Sequence, residues 1–241
     1  MSTEPRIEVH EDATTLATAV AGELLSRLAD AQAAGGTPQV ALTGGTIAEA
    51  VHREIARLSP GSEVDWSQVV LWWGDERFVA PDSPDRNALQ ARAAFIDAVG
   101  ADPANVHEMP STADAPDVDA GATAYGATLR RDGAGEFDIV MLGVGPDGHI
   151  ASLFPGFPQL EDDGITVGVT GSPKPPPERV SLTFAALNRA RSVWFLVNGA
   201  GKASAVASAL GGADRHEIPA AGVSGREETI WFLDREAASR L

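Results

Sequence analysis

The chain has 241 residues and no cysteine, and its formal net charge is −16 at pH 7. This length suits one large α/β domain, and because no linker divides the chain we expect residues 1–241 to form a single domain. The composition excludes disulfides, thiolate metal sites and a cysteine nucleophile, and the negative charge argues against nucleic acid and anionic membranes as partners.

The sequence also predicts where the protein works. Its longest apolar runs, such as residues 193–197, are far too short to cross a bilayer. The N-terminal residues 1–5 lack the basic and apolar regions of a signal peptide. Without cysteine, only carboxylates and histidines could bind a metal, and the five histidines are scattered. We therefore expect a cytoplasmic protein without a metal site.

The predicted elements begin with a surface helix. Leu16, Val20, Leu24 and Leu28 recur at helical spacing and share one face. Apolar runs then predict strands at residues 39–42, 69–73, 137–142, 193–197 and 230–233. Helix-like segments lie between them, around residues 49–58, 87–99, 118–131 and 202–210. This alternation predicts a three-layer, doubly wound α/β fold with a mostly parallel, Rossmann-like sheet, covered on both faces.

Four polar motifs follow predicted strands directly. In a parallel sheet the carboxyl ends of the strands lie at one edge, where open α/β sheets bind their ligands. Motifs that are distant in sequence can therefore line a single pocket. They are Thr43-Gly44-Gly45-Thr46, Gly74-Asp75-Glu76-Arg77, Gly143 to His149, and Asn198 to Lys202.

The first of these motifs precedes a predicted helix. Backbone N–H groups of Gly44 and Gly45 and the positive end of the helix can bind a phosphate, with donors added by the hydroxyls of Thr43 and Thr46. The alternative is a plain turn with Thr46 as the N-cap residue. The motif is not a P-loop, because the Gly-Lys-Ser/Thr ending is missing.

Two cations stand near these motifs. Lys202 follows a Gly-Ala-Gly turn, from which its ammonium group can reach a phosphate. Arg179 ends the stiff segment 174–178, whose prolines would lower the entropy lost in presenting a guanidinium to an anion. Each could also be an ordinary surface cation.

Asp147 and His149 flank Gly148, and an extended backbone would place both side chains on one side of the chain. A neutral His149 could take a proton from water, with Asp147 orienting the ring or a substrate hydroxyl. The other four histidines are interpreted as structural.

Asp75, Glu76 and Arg77 are open to two interpretations: a carboxylate pair with a cation, or a salt-bridged strand end. The preceding Trp72 and Trp73 are expected in the core, although one indole could form a wall of the pocket.

Gly143, Gly145 and Gly148 also match the dinucleotide-binding fingerprint, with an acidic cluster at residues 161–163. That interpretation needs a full helix opening at the third glycine. Pro155 and Pro158 would cut such a helix short, so the sequence disfavours nicotinamide binding.

Together these motifs resemble the 6-phosphogluconolactonases, within the wider group that includes glucosamine-6-phosphate deaminases. The resemblance spans most of the chain and is carried by an ordered set of segments. They are Leu42 to Thr46, Trp73 to Val79, Ser83 to Asn87, Leu142 to Leu153, Pro177 to Thr183, and Gly201 to Ala203.

The resemblance implies a deaminase-like fold and hydrolysis of 6-phospho-D-glucono-1,5-lactone in the pentose phosphate pathway. No metal or organic cofactor is implied, and we expect a monomer or weak homo-oligomer. His149 would activate water, and Arg77 would stabilise the oxyanion while Asp75 and Asp147 fix the geometry. The phosphate would bind the backbone of residues 44–46, Lys202 and Arg179.

The chain departs from the patterns of these families at three places. Many family members have Ser-Thr-Pro in the first glycine loop, where this chain has Thr46-Ile47-Ala48. The deaminase branch normally has a tyrosine after the acidic pair and Asn-Glu-Pro after the histidine motif. Here Arg77 and residues 152–155 stand instead, which removes the glutamate expected to assist ring opening.

A phosphosugar sensor is the non-enzymatic alternative. It would keep the phosphate-binding residues without needing Asp147 and His149. A DNA-binding appendage would be expected in such a protein, and the sequence contains none, so an enzyme is favoured.

Overall fold

The computed structural model describes residues 4–241, so the first three residues of the N-terminal segment discussed above lie outside it. Nine strands occur in the described chain. They are β1 Arg6–His10, β2 Gln39–Leu42, β3 Val70–Trp73, β4 Asp75–Arg77, β5 Ile139–Gly143, β6 Thr166–Val169, β7 Arg179–Leu182, β8 Ser192–Val197 and β9 Glu228–Asp234.

Six of these strands form the central sheet in the order β1-β9-β8-β5-β2-β3, and all neighbours pair in parallel. Every residue of β2, β3 and β8 is buried, because both faces of the sheet are covered. The predicted doubly wound α/β fold is therefore confirmed. The edge strand β1 was not predicted.

Seven α-helices occur between the strands of the described chain. They are α1 Ala13–Ala33, α2 Thr46–Leu58, α3 Asn87–Ala91, α4 Asp97–Val99, α5 Val118–Asp132, α6 Phe184–Leu187 and α7 Ala203–Leu210. A π-helical stretch, Arg92–Ile96, joins α3 to α4, so the predicted helix 87–99 is continuous. The helix α1 buries the four predicted leucine and valine positions and packs on α2 and β9.

A second, antiparallel sheet has the strand order β4-β7-β6. It was not predicted, since the sequence places β6 inside a glycine- and proline-rich stretch that resembles a long loop. In this sheet Arg77 pairs with Arg179, and Asp75 pairs with Ser181. The small sheet therefore brings together two predicted site segments whose paired residues are more than 100 positions apart in the chain.

The tryptophan pair at the end of β3 belongs to the core, as expected. Trp72 and Trp73 are both fully buried, and neither lines the cavity described below. The Trp72 indole donates to Gln39 Oε1 at 2.7 Å and stacks on His107, with ring centroids 4.0 Å apart.

No helix within residues 4–241 is long and apolar enough to cross a membrane.

Candidate active site

A cavity of about 320 Å³ opens at the carboxyl ends of β2, β5 and β8, between the two sheets. Its size falls within the range of small-molecule sites. Nine of the ten predicted site residues line it, and the tenth, Asp147, contacts His149. The nine are Thr43, Gly44, Gly45, Thr46, Asp75, Arg77, His149, Arg179 and Lys202.

The glycine loop brings the N-terminus of α2 to this cavity. Gly45 is the N-cap residue and has φ 96°, a left-handed conformation that favours glycine. With no side chain at the N-cap to bond the first N–H groups of this 13-residue helix, those groups can bind an anion. The alternative with Thr46 as N-cap is wrong, because Thr46 is the first helical residue. The Thr43 hydroxyl accepts a 3.4 Å hydrogen bond from Gly143 N–H.

Asp147 and His149 are brought together by a tight turn. Gly148 has φ 81°, and Gly148 N–H donates to Gly145 C=O at 3.0 Å. Nδ1 of His149 lies 2.5 Å from Oδ1 of Asp147. The expected extended backbone is therefore wrong, since the chain folds back at Gly148, although the two side chains do lie within hydrogen-bond distance of each other.

The hydrogen bond between Asp147 and His149 has a defined donor and acceptor. Burial acts to raise the pKa of Asp147, but the hydrogen bond and charge of His149, with backbone N–H groups, outweigh it and lower the pKa to about 2. An ionised carboxylate can only accept, so the ring donates its Nδ1–H to Asp147. This leaves Nε2 of His149 for proton transfer. The ring also contacts Phe154, at a centroid distance of 4.7 Å.

The acidic pair at residues 75–76 separates into two roles. Glu76 accepts the backbone N–H groups of Arg77, Asn87 and Ala88 at 2.7–2.8 Å and so holds the start of α3. Burial raises the pKa of Glu76, while these hydrogen bonds act to lower it. Asp75 lines the cavity instead, and its Oδ2 accepts from the Ser152 hydroxyl at 2.7 Å.

Arg77 is held by two acceptors at the cavity wall. Its Nη1 donates to the Asp85 carbonyl at 2.7 Å and to Asn87 Oδ1 at 2.5 Å. Its Nε is buried without a hydrogen-bond partner among residues 4–241. Arg77 itself lines the cavity, so its guanidinium can bind an oxygen atom of a ligand there.

Lys202 donates to the Val144 carbonyl at 2.7 Å from the cavity wall. Burial and the nearby charge of Lys174 lower the pKa of Lys202, since both disfavour the ammonium form. An anion in the cavity would relieve the repulsion between the two cations.

Arg179 is placed differently from the expectation. It lies in β7, only 6% exposed, and its guanidinium donates to the carbonyls of Pro176 at 2.8 Å and Lys174 at 3.0 Å. Instead of the proline segment presenting Arg179, Arg179 holds that segment over the cavity. Burial lowers the pKa of Arg179, although Asp75 acts to raise it.

Two cavity residues were missed by sequence reasoning. Lys174 and Asn87 both line the cavity. Lys174 lies within the proline segment and Asn87 ends the Ser83 to Asn87 segment, so both stood in segments already singled out. Neither residue type is distinctive at such a position without the structure.

The dinucleotide interpretation fails on local structure. After β5, residues 144–157, all of which the structure describes, form turns and a short bridge instead of a helix. The helix N-terminus that a pyrophosphate requires is therefore missing at Gly148.

Comparison with known proteins identifies the family of the chain. A family model described as glucosamine-6-phosphate isomerases/6-phosphogluconolactonase matches residues 11–231. The chain belongs to this family. A 6-phosphogluconolactonase of Streptomyces coelicolor is 45% identical, covering 100% of this chain and 96% of its own length. Another, of Mycobacterium tuberculosis, is 44% identical and covers 98% of each chain.

A solved structure within the family extends the likeness to three dimensions. The 6-phosphogluconolactonase of Thermotoga maritima superposes with a TM-score of 0.85 at 26% identity, covering 95% of this chain and 99% of that one. A monomeric glucosamine-6-phosphate deaminase, 20% identical, shares the fold with a TM-score of 0.83 and covers 98% and 100% of the two chains. The predicted family is therefore confirmed.

Proposed function

We propose that this protein hydrolyses 6-phospho-D-glucono-1,5-lactone to 6-phosphogluconate, a step of the oxidative pentose phosphate pathway. The names of full-length relatives at 45% and 44% identity support the lactonase activity. Within the structure, the observation that carries the proposal is the position of His149, which contacts Asp147 and lines the same cavity as the glycine loop, Lys202 and Arg179.

The proposed reaction begins with His149. Its Nε2 takes a proton from water, and the water oxygen bonds to the lactone carbonyl carbon. The Asp147 carboxylate accepts the Nδ1–H and stabilises the imidazolium that forms. The tetrahedral intermediate then breaks its bond to the ring oxygen, which receives the proton from His149, and the acid product loses its proton to solvent.

Arg77 is proposed to stabilise the oxyanion. Its guanidinium is fixed by Asp85 and Asn87 before substrate binds, so little reorganisation is needed as charge develops. The Asp75 carboxyl group accepts a hydrogen bond from the Ser152 hydroxyl, which fixes the position of the Asp75 side chain in the cavity wall. Water, protein side chains and backbone groups suffice for every proposed step, and none needs a metal or organic cofactor.

The phosphate is proposed to bind the N–H groups at residues 44–46. Lys202 lines the same cavity, as do Lys174 of the proline segment and Arg179, which donates to that segment. A chain of net charge −16 needs such local cations to bind a phosphate dianion.

The deaminase branch is the second candidate, because a solved deaminase shares the fold. Arg77 and Phe154 line the cavity near the positions where that branch normally has tyrosine and its Asn-Glu-Pro segment. We therefore expect purified protein to hydrolyse the lactone above its spontaneous rate and to release no ammonia from glucosamine 6-phosphate. Ammonia release with lactone hydrolysis at background would overturn the proposal. Binding of both ligands without turnover would indicate a sensor.

A further inference from the structure

Asn87 connects three parts of the cavity wall through one side chain. The residue is 2% exposed and begins α3, where its backbone N–H is fixed by Glu76. Its Oδ1 accepts from Arg77 Nη1 at 2.5 Å, and its Nδ2 donates to the Asp75 carbonyl at 3.0 Å. Both ends of the amide are therefore used, which sets its orientation.

The same amide packs against the glycine loop. A Cβ atom at Gly44 would lie 1.9 Å from Asn87 Oδ1 and 2.9 Å from its Nδ2. Gly44 is not among the glycines with positive φ, so lack of space, not backbone conformation, excludes a side chain there. The loop proposed to bind phosphate and the arginine proposed to bind the oxyanion thus both lie against the Oδ1 atom of one amide.

The chemistry of an amide suits this place. A neutral oxygen orients the guanidinium of Arg77 without forming an ion pair, so the arginine keeps its charge for a ligand. Without the hydrogen bond to Asn87, the long side chain of Arg77 would lose conformational entropy on adopting a single geometry when a ligand binds. In the substrate, the covalent structure limits the distance between the phosphate and the lactone carbonyl. The phosphate-binding loop and Arg77 must therefore be held at a matching distance from each other.

We propose that Asn87 is a positioning residue for lactone hydrolysis: it holds the Arg77 guanidinium at a set place relative to the phosphate-binding loop. This rests on the proposed function. It assigns Asn87 no contact with the reacting atoms, so its effect on turnover passes through Arg77.

The first test is a double-mutant cycle on kcat. Asn87→Ala is expected to lower kcat about ten- to hundredfold, the effect of a misplaced catalytic group. In an Arg77→Ala background the same change is expected to lower kcat less than about threefold, because the group it positions is gone. Equal losses in both backgrounds, or an unchanged kcat in Asn87→Ala, would overturn the proposal.

Asn188→Ala is the matched control. Asn188 also bridges two backbone groups, donating to Gly222 C=O at 2.9 Å and accepting from Ser224 N–H at 2.8 Å, and it does not line the cavity. It is expected to lower the melting temperature without lowering kcat. A similar fall in kcat in this variant would assign the Asn87 effect to general destabilisation and overturn the proposal.

The second test uses Gly44 and needs no turnover. Gly44→Ala is expected to lower the melting temperature, and Asn87→Ala to suppress most of this loss by removing the atoms that the new Cβ meets. If the losses in melting temperature of the two variants were additive, Gly44 and Asn87 would not be in contact, and the proposal would be overturned. If the wild-type protein left the lactone at its spontaneous rate, the proposed function would fall, and this melting cycle would still decide whether Asn87 supports the loop.

If Asn87→Ala does not fold, Asn87→Ser removes the same amide while keeping a polar side chain at this buried position, and it carries the kinetic test. It is then expected to lower kcat in the wild-type background and to leave kcat nearly unchanged when Arg77 is alanine. A loss of equal size in both backgrounds would overturn the proposal.

Discussion

Two Asp-x-His pairs in this chain share the same local geometry. Asp214 and His216 repeat the arrangement of Asp147 and His149, with Nδ1 of His216 2.6 Å from Oδ1 of Asp214. His216 lies outside the cavity, exposed, with its Nε2 bonded to Glu161. The surroundings, not the pair itself, therefore distinguish the proposed general base from a surface histidine.

His149→Ala is expected to lower kcat by about two to four powers of ten, the usual contribution of a positioned general acid/base. Binding of 6-phosphogluconate should persist, because the phosphate groups are untouched. Steady-state kinetics and product titration measure both. His216→Ala is the matched control and should retain wild-type turnover. Near-normal turnover in folded His149→Ala would show that another group activates the water.

Lys202→Ala is expected to weaken binding of 6-phosphogluconate by about 1.5–3 kcal/mol, the range for hydrogen bonds to charged groups. Titration calorimetry measures the change. The comparison ligand is gluconate without phosphate, whose affinity should barely respond. If both ligands lost affinity equally, Lys202 would support the Val144 carbonyl and the fold of the site instead of the phosphate.

Arg179→Ala has a further expected effect, since its guanidinium holds the carbonyls of residues 174–176. The loss of product affinity should exceed that of Lys202→Ala, because Lys174 is released with the segment. Double substitution with Lys174→Ala tests this. A fully additive double variant would show that the two cations act independently.

The sequence could predict which residues surround the cavity, because polar motifs after parallel strands must meet at one edge. It could not predict the turn at Gly148 or the amide of Asn87. Both depend on contacts between segments far apart in the chain, such as Gly44 with Asn87, and residue type alone does not encode these. The proposed catalytic roles stay predictions.

Helix α5 is joined to the central sheet by one buried hydroxyl. The Tyr125 hydroxyl accepts from the backbone N–H of Trp73 at 2.9 Å and lies 3.3 Å from the His107 carbonyl. Tyr125→Phe leaves that buried N–H without its partner, so we expect a loss of about 1–3 kcal/mol in the free energy of unfolding. Urea denaturation measures it, with Thr123→Val on the exposed face of α5 as control. A loss below about 0.5 kcal/mol would contradict the prediction.

At the scale of elements, the sequence predicted the central sheet except its edge strand β1, and it missed the three strands of the small sheet. Runs such as Val193 to Val197 are apolar on both faces, a pattern that predicts a strand buried on both sides of the sheet. The edge strand β1 alternates charged residues with Ile7 and Val9, which are 43% and 52% exposed. The strand β6 contains Gly168, where a Cβ would lie 2.2 Å from Asp119 Oδ1, so its glycine reflects close packing by α5.

For the whole molecule, one buried histidine predicts acid sensitivity. His52, on α2, is 3% exposed and packs on Phe95, and burial lowers its pKa to about 4. The unfolded chain binds a proton near pH 6.5 while the folded chain does not, so stability falls as the pH drops from about 6.5 to 4. At 1.36 kcal/mol per pKa unit the loss reaches about 3 kcal/mol.

Urea denaturation of wild type and His52→Leu between pH 7 and pH 4.5 tests this. The variant is expected to lose less stability on acidification than the wild type does. His216 gives the opposite contribution, because hydrogen bonds from Glu161 and Asp214 raise its pKa, so its stabilisation is present in acid and lost as the pH rises. Parallel pH curves for wild type and His52→Leu would contradict the assignment.

At this scale the family and the fold class are confirmed, and the single domain over residues 1–241, the cytoplasmic location and the oligomeric state stay predictions. Composition bounds these properties without fixing them. Assembly in particular depends on surface shape, which no periodicity in the sequence reports.

The position of β1 has a consequence for how the protein is made. Among the described strands, β1 pairs with β9 alone, so β1 cannot join the sheet until β9 has been synthesised. During synthesis, β8 can pair with β5 on one side, but its other edge stays open until residues 228–234 leave the ribosome. An apolar strand edge that is open for this long is a target for aggregation. Strand β9 is therefore the element that covers this open edge of β8 in the nascent chain.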